Sequence, residues 1–127
     1  MSQTRGRVLV VDDEIDTAQT LGRMLETSEF TVDVFANSKE VLATFKPDHY
    51  DLAVIDIRMP GMNGFELYSE IKSIDYKIKV LFLTALSDLH DYDDFKFKVS
   101  PKLHQRHFAQ KPVNNDEFLE QVYSILY

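Results

Sequence analysis

The sequence predicts a doubly wound α/β fold: five parallel strands in the order 2-1-3-4-5, with five helices on both faces of the sheet as a three-layer sandwich. Three observations predict it. Apolar runs and helical stripes alternate along all 127 residues. The runs Ala53-Val54-Ile55 and Ile78 to Thr84 lack the polar alternation of a half-exposed strand, as expected for central strands covered on both sides. Finally, the apolar runs stop at reactive side chains, Val11 at Asp12 and Ile55 at Asp56. In open α/β sheets ligands bind at the carboxyl edge, where such residues stand.

Each element has its own signal. Val8 to Val11 forms the first strand, and Ile15, Ala18, Leu21 and Leu25 form the stripe of the first helix. Thr31 to Phe35 is the second strand. A helix follows from about Ser38 to Phe45, with Asn37 and Glu40 at capping-box spacing and Pro47 just beyond its end. The third strand ends at Asp56, and Pro60 and Gly61 stop it. Asn63 and Gly64 lead into a helix with Phe65, Tyr68, Ile71 and Ile74 on one face, and Ile78 to Thr84 is the fourth strand. Leu86, Leu89, Tyr92, Phe95 and Val99 suggest a fourth helical face that Pro101 ends near Ser100. A short fifth strand is expected near His107 to Gln110. The last helix has Asn115 near its cap, Asp116 and Glu117 in its first turn, and Phe118, Val122, Ile125 and Leu126 on its core face.

Composition narrows the function. With 44% hydrophobic residues, residues 1–127 suffice for one domain that removes roughly two thirds of its unfolded surface from water, with no room for an output domain. The absence of cysteine excludes disulfides and thiolate metal sites and suits a reducing cytoplasm. Four apolar residues after Arg5 and Arg7 are too few for a signal peptide or a membrane span. A formal charge of -7, from 21 acidic and 14 basic residues, repels a phosphate backbone, so direct nucleic-acid binding is not expected.

The strand ends converge on one chemistry. Asp12, Asp13 and Glu14 follow the first strand, Asp56 ends the third, Thr84 the fourth, and Lys111 follows the fifth. In isolation an acidic pair marks a helix start, a threonine a turn hydroxyl and a lysine a solvated surface group. Together they need a common explanation, because like charges about 4 Å apart repel by roughly 4 kcal/mol at an effective dielectric of about 20. A divalent cation relieves that repulsion, and oxygen-only donors favour Mg²⁺. Cation, ammonium and hydroxyl then form a receptor for a phosphoryl group delivered to Asp56, a carboxylate nucleophile.

At this point the chain resembles the receiver domain of two-component response regulators. The likeness rests on Val8-Leu9-Val10-Val11-Asp12-Asp13-Glu14, Asp56 with Met59-Pro60-Gly61-Met62-Asn63-Gly64, Phe82-Leu83-Thr84-Ala85 and Lys111-Pro112. The resemblance implies a flavodoxin-like sheet and a phosphoacceptor switch that catalyses only its own phosphorylation and dephosphorylation. It implies that Asp56 takes phosphate from a sensor histidine kinase, and that Asp13, Asp56 and the backbone carbonyl of Arg58 bind Mg²⁺ while Asp12 acts through a water. Thr84 would hydrogen-bond the phosphoryl oxygens, Lys111 would pair with them, and the Lys111-Pro112 bond would be cis. Phe108, three residues before the lysine, takes the place of the switch aromatic, and Arg58 and Leu86 occupy positions that tune dephosphorylation. The output is either capture of a downstream protein or phosphate transfer to a histidine phosphotransfer protein, and the chain could be the receiver fragment of a longer regulator.

The segment between Thr84 and Lys111 departs from the pattern. Its 111 - 84 = 27 positions are several more than usual, and Ser100 to His107 lacks the small residues usual before the switch aromatic. Asp88, Asp91, Asp93 and Asp94 read as a solvated helix face, and His90, His104 and His107 lack metal-ligand spacing. A flavodoxin would need a Ser/Thr/Gly-rich phosphate loop where Asp12-Asp13-Glu14 stands. An aspartyl-phosphate hydrolase would need a carboxylate where Arg58 stands, and a receiver that no longer takes phosphate would not need the intact set of acidic pair, acceptor, threonine and lysine.

Overall fold

The computed structural model describes residues 5–85 and 107–127. Five parallel strands, β1 (Arg7–Val11), β2 (Thr31–Phe35), β3 (Leu52–Asp56), β4 (Lys79–Thr84) and β5 (Phe108–Gln110), stand in the expected order β2-β1-β3-β4-β5. Four helices stand among the described residues: α1 (Ile15–Thr27), α2 (Ser38–Thr44), α3 (Gly64–Ile74) and α4 (Asn115–Leu126). The helical face expected from Leu86 to Val99 lies outside the described residues, as do His90 and His104.

Alternation along each strand divides the core in two. Leu9, Val11, Ala53, Ile55, Val80 and Phe82 point to one side and meet Val41 of α2 and Leu67 and Ile71 of α3. Val8, Val10, Leu52, Val54, Leu81 and Leu83 point to the other and meet Leu21 and Leu25 of α1 and Phe118 and Val122 of α4. All of β3 is buried, which is why its sequence shows no polar alternation. Each fully buried Leu or Phe contributes about 1.5–3 kcal/mol, so the two layers clamp β1, β3 and β4 as the rigid base beneath their carboxyl ends.

Caps set the helix starts. Asn37 accepts the Glu40 N–H at 2.9 Å, and Asn63 accepts that of Glu66 at 2.9 Å while the Glu66 side chain accepts the Asn63 N–H at 3.1 Å. The last cap is Asn114, next to Asn115 as expected, and it accepts the Glu117 N–H at 3.1 Å. Two residues of the expected apolar faces are not core: Ile15 is 44% and Ile74 42% exposed. They occupy the first turn of α1 and the last turn of α3, outside the buried stretch of each helix. Among the described residues no helix is long and apolar enough to cross a membrane.

Candidate functional site

Asp56 is the last residue of β3 and only 4% exposed. The backbone of the next residue, Ile57, is held from both sides. The Ile57 N–H donates to Leu83 O at 3.1 Å, and the Gly64 N–H donates to Ile57 O at 2.8 Å. A Cβ at position 64 would collide with the Asp56 carbonyl oxygen, so the start of α3 can lie against the aspartate only as glycine. Gly61, at φ 78°, turns the chain between them.

Asp12 leaves β1 in the same direction. Its N–H donates to Phe35 O at 3.1 Å, and its fully buried carboxylate accepts the Glu14 N–H through Oδ1 at 2.9 Å. Asp13 is exposed beside it, and the carboxylates of Asp12, Asp13 and Asp56 can each offer one oxygen within 4.8 Å of the others. Lys111 arrives from β5, where its N–H donates to Thr84 O at 2.9 Å. Its ammonium stands 3.0 Å from Asp12 Oδ2, 3.3 Å from Asp56 Oδ1 and 3.4 Å from Glu14 Oε1. The Lys111-Pro112 bond is cis, as expected.

Buried Thr84 donates its hydroxyl to Ala85 O at 2.9 Å. Phe108 is half-buried and stacks on Phe82 with ring centroids 5.4 Å apart. Arg58 is exposed in the loop after Asp56, where it lines a hollow with Pro60, Asn63 and Phe65. Leu86 lies outside the described residues. Glu14 stands in the acidic run expected after the first strand, but its contact with Lys111 spans 97 positions and has no local signal.

The electrostatics are those of crowded charge. Burial and then the Asp12 charge push the Asp56 carboxyl up to about 7, against the opposing pull of Lys111. Burial alone would lower the Lys111 ammonium, but its pairing with Asp12 and Asp56 outweighs that and raises it above the usual lysine range. One ammonium therefore does not settle three carboxylates. Among the described residues, buried Asp12 Oδ2 has no partner besides the ammonium 3.0 Å away. An all-oxygen cluster with such an oxygen fits a hard divalent cation, and among the described residues no histidine or cysteine joins the cluster to favour a softer metal.

Fold and pocket together define a flavodoxin-like α/β protein with an acidic centre at the carboxyl edge of its sheet. The chain belongs to the response regulator receiver domain family, whose model matches residues 8–123. Over 85 residues, 67% of this chain and 18% of the relative, it is 41% identical to the DNA-binding transcriptional regulator NtrC of Salmonella typhimurium. Over 82 residues, 65% of this chain and 18% of the relative, it is 34% identical to the C4-dicarboxylate transport transcriptional regulatory protein DctD of Rhizobium meliloti. The match thus spans less than a fifth of either relative. Among solved structures, the receiver domain protein (CheY-like) from Methanospirillum hungatei JF-1 matches with a TM-score of 0.79 at 26% identity, covering 93% of this chain and 90% of that one. The non-phosphorylated HemR receiver domain from Leptospira biflexa matches at 0.78 and 27%, covering 96% and 94%. The protein is a signalling domain, the phosphoacceptor switch of a two-component response regulator.

Proposed function

We propose that Asp56 is the phosphoacceptor, that a sensor histidine kinase supplies the phosphoryl group, and that residues 1–127 act as one receiver unit. The observation that carries this reading is the placement of Lys111 Nζ 3.3 Å from Asp56 Oδ1 and 3.0 Å from Asp12 Oδ2, at the end of a fully buried strand. Asp13, Asp56 and the Arg58 backbone carbonyl would hold Mg²⁺, with Asp12 acting through a water. When bound, the ion supplies positive charge that offsets the carboxylates and draws charge from phosphoryl oxygens.

The chain's own groups do the rest. An Asp56 Oδ forms the new P–O bond as the P–N bond of the kinase phosphohistidine breaks, and the imidazole nitrogen keeps the bonding pair. Lys111 neutralises charge on the equatorial oxygens and stays close to the product. Thr84, whose hydroxyl now donates to Ala85 O, gains a stronger acceptor in the phosphoryl oxygens. Its turn toward them biases the packing around Phe108, whose stack on Phe82 links the pocket to the β5 edge. The output is a protein partner captured at that edge. Direct nucleic-acid contact is not part of the proposal, because a charge of -7 opposes it. A cytoplasmic site of action suits both the cysteine-free chain and an ATP-charged kinase as donor.

The test is incubation with acetyl phosphate with and without Mg²⁺, read by intact-mass spectrometry. Wild type should gain one hydroxylamine-labile phosphoryl group only with Mg²⁺, and Asp56→Asn should gain none. Equal, metal-independent modification of both proteins overturns the reading.

A further inference from the structure

The three carboxylates around Lys111 are not equivalent. Asp12 and Asp56 are buried, whereas the Glu14 side chain is 68% exposed and reaches the ammonium from the solvent side at 3.4 Å. Glu14 is the N-cap residue of α1, but its side chain makes no capping bond; its N–H is taken by Asp12 Oδ1. The carboxylate therefore satisfies no backbone N–H at the helix start. Together with Lys111 it lines the mouth of a groove of about 500 Å³ between α1 and α4.

An ammonium has three N–H donors, which three carboxylates can occupy. A phosphoryl group on Asp56 cancels the charge of that carboxylate and adds about two negative charges and three acceptor oxygens beside it. Lys111 is then drawn two ways, inward to the phosphoryl oxygens and outward to Glu14. Releasing Asp12 would leave a buried charge unpaired, but Glu14 returns to water at little cost.

We propose that Glu14 is a positioning residue that competes with the phosphoryl group for Lys111 and thereby loosens the pocket's hold on it. The inference rests on Asp56 being the acceptor. Loss of an exposed rival of this kind should tighten anion binding by about twofold to fivefold.

The probe is beryllofluoride, a tetrahedral phosphoryl stand-in, titrated at saturating Mg²⁺ and followed by fluorine NMR. The proteins are wild type, Glu14→Gln, Asp16→Asn, Lys111→Met and the Glu14→Gln/Lys111→Met double variant. Asp16→Asn removes the same charge from the start of α1 and lines the same groove, so it reports the general field. Glu14→Gln should bind more tightly than both wild type and Asp16→Asn, and the gain should vanish when Lys111 is absent. General damage to the site would weaken binding instead. Equal effects of Glu14→Gln and Asp16→Asn, weaker binding by Glu14→Gln, or a gain that persists without Lys111 would overturn the role of Glu14. Absence of Mg²⁺-dependent binding by wild type would instead overturn the assignment of Asp56.

Discussion

Asp75 and Asp56 are each 4% exposed, yet they stand at opposite edges of the sheet in opposite electrostatic company. Asp75 caps the end of α3 at the amino edge. Its Oδ2 accepts the Asp48 N–H at 2.9 Å and its Oδ1 the Lys77 N–H at 3.0 Å, tying two loops together with neutral backbone donors. Asp51 does the same nearby, accepting the Arg7 N–H at 2.9 Å. At the carboxyl edge Asp56 faces Asp12, Asp13 and Lys111, and burial among them pushes its carboxyl up to about 7. Burial alone does not make a carboxylate reactive. Backbone donors convert one into a structural brace, while charged neighbours leave the other ready for a cation or a phosphoryl group.

The comparison breaks most visibly at the brace. Asp75→Ala orphans two partly buried N–H groups and should lower stability by about 3 kcal/mol in urea unfolding, while Mg²⁺-dependent phosphorylation persists at a temperature where the variant is folded. A loss of acceptance without a loss of stability would show that the two edges are not separable.

Asp56→Asn should act in the opposite direction and raise the stability of the metal-free protein by about 2 kcal/mol at pH 8. The sign follows from the shift: a carboxyl raised from 3.8 to about 7 makes the folded state the tighter proton binder between those values. Wild-type stability therefore falls as pH rises through that window, and the advantage of the neutral asparagine shrinks as pH drops from 8 to 5. Thermal melts across that range measure it, and a pH-independent difference would mean that Asp56 is not held in a repulsive cluster. Saturating Mg²⁺ should erase most of the advantage at pH 8.

The smallest effect sharpens the contrast. Asn63→Ala removes a neutral cap at the reactive edge and should cost about 1 kcal/mol with little change in phosphorylation. A large loss of acceptance would instead give the start of α3 a direct part in the chemistry.

Much of this was legible in the sequence because strands buried on both faces must be apolar throughout, so a polar residue at their end is conspicuous. Asp12, Asp56 and Thr84 were read in that way, and Lys111 by its order after them. Periodicity is a poorer guide at helix ends, since it says which residues share a face and not whether a sheet covers them; hence Ile15 and Ile74 belong to the expected apolar faces yet lie 44% and 42% exposed. Two features depend on tertiary approach and have no local signature. One is the contact of Glu14 with Lys111; the other is the need for glycine at position 64, which comes from the Asp56 backbone it lies against.

The ammonium that partly neutralises the pocket is separated from Glu14 by 97 positions, and from Asp12 by slightly more. During synthesis the acidic pair and Asp56 emerge well before Lys111, so β1 and β3 can pair while their carboxylates still repel one another. The complete site therefore depends on closing one of the longest loops in the chain, the kind of non-local contact whose closure entropy is largest.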